Sequence, residues 1–374
     1  MNSYETIVVG AGGVGSAAMR ELARRGQKVL GIDRFAPPHD RGSTHGETRI
    51  IRQAYFEHPD YVPLLWRTYE HWAELEKASG AKLFTQCGLV EAGPADGEVV
   101  AGVLRAAEEH SLEVEQLTAS ELTNRWPALR LPDNLSAVFE PTAGYLLVER
   151  CVETLLGDAK QRGAELLTDC EVTGWSASDK GVEVTTTRGT FTAGALVITA
   201  GAWAAELLGE LGVPLTVLRK SLFWYSSTGV ERAAELPAFL YELDYGVPYG
   251  FPPVDGQRMK VAVHDGGVPV DDPLEQAESI DAHELEVTQR FLAEYVAGAG
   301  REPLHTGTCL YTMTPDSHFV VDRHPEHANV VFAAGLSGHG YKFAPVLGEA
   351  LVDLVTTGET ELPIEFLGLQ RFHP

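Results

Sequence analysis

A β-branched run at residues 6–9 leads without pause into Gly10-Ala11-Gly12-Gly13-Val14-Gly15. Residues 14–25 then carry apolar side chains at helical spacing (Val14, Ala18, Leu22), and Gly26 supplies a stop. Residues 28–33 form a second apolar run ending at Asp33. Strand, glycine-rich turn, helix and strand in this order constrain the chain to a βαβ unit. The three glycines have separate tasks. Gly10 permits the tight turn, Gly12 lets backbone approach a pyrophosphate, and Gly15 lets the helix pack close to the strand. The helix N-terminus offers unpaired N–H groups and a partial positive charge to phosphate. Asp33 stands where an acidic residue would meet a ribose hydroxyl. The segment reads as a dinucleotide-binding fingerprint.

At 374 residues the chain is too long for one ordinary core, so two domains are expected. A helix is expected at 61–79, another at 150–162, and a strand at 164–168. Three short alternating stretches (EVTGWSA, GVEVTTT, GTFTAG) read as a small meander, after which ALVITAG re-enters the parallel sheet. A long helix is expected at 282–295. The end of the chain reads as strand (NVVFAAG), turn (LSGHG) and helix over 341–355. Nucleotide-binding elements therefore lie at the start, middle and end, with a second domain built from the intervening pieces. This interrupted layout favours FAD over NAD, because a final helix aimed into the crevice near Gly338 and Gly340 would stabilise the negative edge of a reduced flavin. An ordinary βα unit with a surface lysine at Lys342 is the plainer alternative.

The net charge, 29 basic minus 53 acidic residues or −24, would repel nucleic-acid phosphates and anionic lipid, so neither is an expected partner. Cys87, Cys151, Cys170 and Cys309 are widely spaced, which argues against a zinc site or a disulfide framework. The N-terminus lacks a basic segment before its apolar run and reads as a strand, so a cytoplasmic location with reduced thiols is expected.

Three further stretches carry candidate chemistry. GSTHGETRIIR (42–52) holds His45, Arg49 and Arg52; a helical turn would put both arginines on one face to grip a carboxylate, or they are a solvated pair balancing Glu47 and Glu57. MKVAVHDGG holds Lys260 and His264 on one side of an alternating strand, either facing a crevice or forming the polar face of an edge strand. His318, His324 and His327 invite a metal reading, but Pro325 breaks any helix that would align them, and no metal is expected.

The stretches VVGAGGVGSAA, DRFAPPHDRGSTHGETRIIR, YVPLLWRTYEHWAELE, YGFP, KVAVH, CLYTMTPDSHFVVDRHPEHANVV and GLSGHGYKF make the chain similar, nearly end to end, to the monomeric sarcosine oxidase and N-methyltryptophan oxidase family. The resemblance implies an α/β fold, with a Rossmann-like FAD-binding domain (1–85, 145–213 and 318–374) plus an α+β substrate domain with an antiparallel sheet (86–144 and 214–317). It implies a monomeric FAD-dependent oxidase that demethylates a small secondary amino acid and reduces O2 to hydrogen peroxide, with release of formaldehyde. It assigns Gly10, Gly12, Gly15, Asp33, Val172, Gly338 and Gly340 to FAD, with Cys309 as a covalent thioether attachment. Arg52 and Lys342 would bind the substrate carboxylate, and Tyr249, Tyr311, Leu240 and His264 would line its pocket. Lys260 would activate O2, while His45 and Arg49 would lie against the flavin. Thr44 stands where the family carries histidine, Leu240 where it carries methionine, and Tyr241 and Tyr245 are close in sequence, so substrate size stays open among sarcosine, N-methyltryptophan, pipecolate and glycated amino acids. An NAD-dependent dehydrogenase and a non-catalytic flavin-binding protein are the readings from other classes.

Overall fold

A computed structural model describes residues 4–274 and 279–372. Residues 1–3, 275–278 and 373–374, which fall within the expected domains, lie outside the described residues. The β-branched stretch at the start forms the strand Tyr4–Val9, and the helix Gly13–Arg24 follows the glycine turn. Gly26, at φ +81°, closes the helix in the left-handed region that glycine adopts without a Cβ clash. The strand Val29–Ile32 pairs parallel with the first strand.

Among the described residues two large sheets form. In the first, Tyr4–Val9 pairs parallel with Gly189–Ile198 and Val29–Ile32, and Val29–Ile32 pairs parallel with Glu165–Leu167. Val330–Ala334 returns from the end of the chain to pair parallel with Gly189–Ile198. The helices Gly13–Arg24, Val148–Gln161 and Ala344–Thr356 pack together over this sheet, where Gly348 lets the last helix approach Ala17 and Ala18 of the first. The fold is the expected α/β one.

The meander is present as the antiparallel strands Val172–Ser178, Gly181–Thr186 and Gly189–Ile198. One expectation changes here. GTFTAG and ALVITAG are not separate elements but one continuous ten-residue strand, with Gly194 inside it. Gly194, where the two stretches meet, only brings the extended chain close to the Glu5 carbonyl.

The second sheet is antiparallel except where Ala238–Tyr241 runs parallel to Leu89–Gly93. Arg258–Val263 is an interior strand, between Thr216–Ser226 and Pro248–Gly250, so it is not the edge strand that the plainer reading of its lysine required. Pro303–Met313 runs antiparallel along Thr216–Ser226, which places Cys309 opposite Lys220 and Tyr311 opposite Leu218. The helix Ala282–Tyr295 spans the expected residues, and Asp281 caps it by accepting from the backbone N–H groups of His283 and Glu284. A small antiparallel sheet of Thr48–Ile51, Gly144–Leu147 and Phe84–Thr85 joins the two halves. Arg49 therefore lies on a strand, not on a helical turn: pairing with Gly144–Leu147 overrides the three-residue arginine spacing. No helix of the described residues is long and apolar enough to cross a membrane.

Candidate active site

A long cleft opens at the carboxyl ends of the first sheet's parallel strands, as expected for ligand sites in open α/β sheets. Gly10, Gly12, Asp33, Val172, Gly338 and Gly340 line it. Gly10 has φ +84°, and a side chain there would strike the Thr199 carbonyl. Gly15 does not line the cleft. It lies beneath the loop, and a Cβ on it would collide with the Gly10 carbonyl oxygen, which is the close packing read from the motif. Asp33 also braces the loop: Oδ2 accepts from Ala11 N at 2.7 Å and Oδ1 from Phe35 N at 2.9 Å. It pins the glycine loop from within the cleft wall. At the other end, Tyr341–Phe343 is a 3-10 turn and the α-helix begins at Ala344, three residues later than expected. The cleft suits a long polar cofactor: Trp203 Nε1 and Thr312 Oγ1, on residues of its wall, are buried without a hydrogen-bond partner.

A second, smaller cavity of about 50 Å³ adjoins the cleft and shares Arg49, Tyr311, Gly338 and Tyr341 with it. Arg52, Lys342, Tyr249, Leu240 and His264 complete the expected group in its walls, and Glu57 and His339 join them. Tyr241 and Tyr245 do not line it. Tyr241 turns to the opposite face of its strand, where its hydroxyl donates to the Arg130 carbonyl, and Tyr245 meets Glu294 and Arg290 of the 282–295 helix.

The cations of this cavity are held in defined ways. One terminal nitrogen of Arg52 donates to both oxygens of Glu57, at 2.8 and 2.7 Å, and its guanidinium lies between the rings of Tyr55 and Phe56. Burial opposes the Glu57 charge, but Arg52, His339 and Lys342 outweigh it and hold the carboxyl down at about 2. Lys342 Nζ donates to the His339 carbonyl at 2.7 Å and to Tyr55 Oη at 3.3 Å. Burial and then the nearby Arg52 charge depress its ammonium to about 7. Burial likewise brings His264 to about 4 and His339 to about 3, so both are neutral imidazoles near neutral pH.

Lys260, Cys309 and His45 are buried and line neither the cleft nor the small cavity. Lys260 is 1% exposed, and its Nζ donates to the carbonyls of Gly46 and Thr48, each at 2.6 Å. Burial and the Arg49 charge lower its pKa well below the usual lysine value. His264 follows the end of Arg258–Val263, and its ring faces Tyr249 and Tyr311. Cys309 is a buried free thiol packed in one apolar cluster with Tyr249 and Tyr311, and the next two residues of its strand line the cleft. Burial raises its pKa, while Arg49, Lys260 and Lys220 act the other way. His45 is buried, with Nε2 3.1 Å from the Gly42 carbonyl, and burial lowers it to about 4. Arg49 donates to the Thr48 and Ser43 carbonyls at 2.9 Å each.

The three histidines of the 316–327 stretch separate. His324 stacks on His327 at 4.7 Å, whereas His318 contacts Tyr61 Oη at 3.1 Å. Among the described residues no group of three or more His, Cys, Asp or Glu is placed to hold a metal ion.

Residues 5–354 match the family described as DAO, FAD dependent oxidoreductase. The chain belongs to this family of FAD-dependent oxidoreductases. The chain is 40% identical over 374 residues to monomeric sarcosine oxidase of Bacillus sp. (strain B-0618), covering 98% of this chain and 96% of that one. It is 38% identical over 373 residues to N-methyl-L-tryptophan oxidase of Yersinia pestis (strain Pestoides F), covering 99% of both. The solved structure of NikD, an unusual amino acid oxidase essential for nikkomycin biosynthesis, superimposes with a TM-score of 0.88 at 25% identity, covering 98% of each chain. The family match decides for FAD over NAD, and the resemblance read in the sequence holds along the chain.

Sequence reasoning did not single out four residues around the oxidoreductase's small cavity: Tyr55, Glu57, Glu91 and His339. Glu57 was considered only as a partner for solvated arginines. Glu91 carried a signal that went unread, a carboxylate inside the apolar stretch LVEAG. Lys220 and Glu284 were also missed. They form a buried ion pair behind Tyr311, and Lys220 Nζ also donates to the Asp265 carbonyl, steadying the turn after His264.

Proposed function

We propose that the enzyme oxidises the C–N bond of a small N-methyl amino acid of the sarcosine type. The observation that carries this reading is the small cavity beside the cleft, in which Arg52 and Lys342 face His264, Tyr249 and Tyr311. Its size of about 50 Å³ compares with roughly 10–15 Å³ for one water on the same measure, which suits a sarcosine-sized molecule better than an indole or a sugar. Bound in the cleft, FAD would take two electrons and a hydrogen from the substrate's N-methyl carbon and pass the electrons to O2. The products are then the demethylated amine, formaldehyde after hydrolysis of the imine, and hydrogen peroxide.

The chain's own residues take these parts in the proposal. Arg52 and Lys342 bind the carboxylate, Arg52 by exchanging Glu57 for it. Neutral His264 lies beside the substrate without repelling an ammonium, and Tyr249, Tyr311 and Leu240 exclude water. Arg49 and His45 border the ring system, and Lys260 adds a buried donor group where O2 reacts. Gly10, Gly12, Gly15, Asp33, Val172, Gly338 and Gly340 shape the FAD cleft. Cys309 is the thioether anchor, and Arg49, Lys260 and Lys220 oppose the burial that raises its thiol pKa. The sheet memberships support dividing the chain into an FAD-binding unit of 1–85, 145–213 and 318–374 and a substrate unit of 86–144 and 214–317. The four free cysteines suit the cytoplasm, and the sarcosine oxidase relatives' name favours a monomer.

A peroxide-coupled screen over sarcosine, N-methyltryptophan, pipecolate and a glycated amino acid tests the reading. Sarcosine should turn over with the highest kcat/KM. Peroxide from none of the four would overturn the amine oxidase assignment, and a preference for N-methyltryptophan would overturn the size argument.

A further inference from the structure

Glu91 has no part in the site described so far. It sits in Leu89–Gly93, a strand buried along its whole length, with Leu240 as register partner on one side and Val138 on the other. Directly paired residues of a sheet share a face. Glu91 therefore points to the side on which Leu240 lines the small cavity. It is 0% exposed, and neither carboxyl oxygen has a hydrogen-bond partner. Oε1 lies 3.5 Å from Arg52 Nε. Glu140, almost as buried, makes the contrast: it accepts from Gln53 N, Ala54 N and Thr142 Oγ1. The fold satisfies Glu140 and leaves Glu91 facing the guanidinium alone. A buried polar group without partners is costly to keep, and one beside the substrate's cation calls for a functional account.

We propose that Glu91 regulates the charge of the Arg52 carboxylate site: as a neutral acid it leaves the guanidinium open to an anion, and when ionised it competes with that anion. Anion binding at Arg52 and proton binding at Glu91 are then linked, each favouring the other. The proposal rests on reading Arg52 as the substrate-carboxylate site. It places Arg52 between two carboxylates of opposite behaviour. Glu57 stays ionised and is exchanged for substrate, whereas Glu91 stays in place and changes protonation.

The surroundings set the range in which this operates. Burial pushes the Glu91 carboxyl up to about 8, with Arg52 and Lys342 opposing and Glu140 and Glu57 assisting. Below that value Glu91 is neutral and only Glu57 competes for Arg52. Above it, affinity for a carboxylate falls as Glu91 ionises, approaching tenfold per pH unit if the two charges exclude each other. Lys342, at about 7, loses its charge over part of the same range, so the two effects must be separated. His264 and His339 titrate well below it.

Methoxyacetate, a sarcosine-shaped carboxylate without an oxidisable amine, is the probe. Its Kd is read from the flavin absorbance of the holoenzyme between pH 6 and 9.5. In Lys342→Arg, where the second titration is removed, the Kd should rise above about pH 8, whereas in the Glu91→Gln, Lys342→Arg double variant that rise should be missing; the wild type adds the loss of the Lys342 charge near 7, and Glu91→Gln alone should keep only that part. An unchanged pH profile in Glu91→Gln overturns the proposal and leaves the carboxylate site standing. No binding to the wild type at any pH overturns the carboxylate site, and the proposal with it. Should Glu91→Gln fail to fold, proton uptake decides. Lys342→Arg holoenzyme mixed with methoxyacetate in weak buffer at pH 8 should take up a substantial fraction of one proton per anion, and no uptake overturns the proposal.

Discussion

Arg52 and Glu57 close on each other in the wall of the small cavity, with both carboxylate oxygens within 2.8 Å of one guanidinium nitrogen. Because Glu57 is held at about 2, it remains an anion at every working pH and competes with any incoming carboxylate. Glu57→Gln should therefore tighten methoxyacetate binding at pH 7 by roughly tenfold, the equivalent of one charge-assisted contact. Weaker binding in this variant would mean that Glu57 helps to hold the substrate rather than keeping its place.

Lys260 is tied to the carbonyls of Gly46 and Thr48, immediately before Arg49. Lys260→Met removes a buried amine that donates two hydrogen bonds but keeps most of the volume. Reoxidation of the reduced enzyme by O2 should slow by roughly 10²-fold, the scale for loss of one preorganised electrostatic group. Anaerobic reduction by sarcosine should change far less. Equal slowing of both half-reactions in stopped-flow measurements would leave Lys260 only the task of clamping the 46–48 backbone.

The thioether is checked by colour. Acid-precipitated wild-type protein should keep its yellow chromophore in the pellet, and Cys309→Ala should release it to the supernatant. Colour retained in the variant would place the anchor on another residue.

Gly338 is tested through Tyr311. At φ +78° a side chain is disfavoured, and a Cβ on Gly338 would also strike the Tyr311 ring. Gly338→Ala should raise KM for sarcosine, and should destabilise the fold by about 1 kcal/mol or more, a scale set by the backbone strain alone. Thermal unfolding and steady-state kinetics on one preparation give both numbers. Unchanged kinetics would show that Tyr311 can be displaced without affecting the substrate.

How legible the enzyme was in its sequence depended on distance along the chain. The glycine turn was readable because Gly10 and Gly15 meet each other within one local loop. The 282–295 helix was readable because its cap, Asp281, is adjacent to it. The spacing of Arg49 and Arg52 left a carboxylate grip and a solvated pair both open; they line the small cavity, but no helical turn carries them, since the strand around Arg49 exists only by pairing with Gly144–Leu147. The carboxylates that control Arg52 were less visible. Glu91 reaches it from another sheet, and no spacing rule connects residues 52 and 91. Family resemblance supplied the assignment of Cys309, which nothing in its local sequence marks, whereas Glu91 lay outside the matched stretches.

The Pro303–Met313 strand carries Cys309 and Tyr311 two residues apart on one face, so the proposed cofactor tether and one wall of the substrate chamber are a single mechanical part. Change there disturbs both at once. Leu240 belongs to a different strand, whose opposite face, Phe239 and Tyr241, is fixed in a separate apolar cluster. Selection for a new substrate thus has one adjustable wall and one that is effectively frozen.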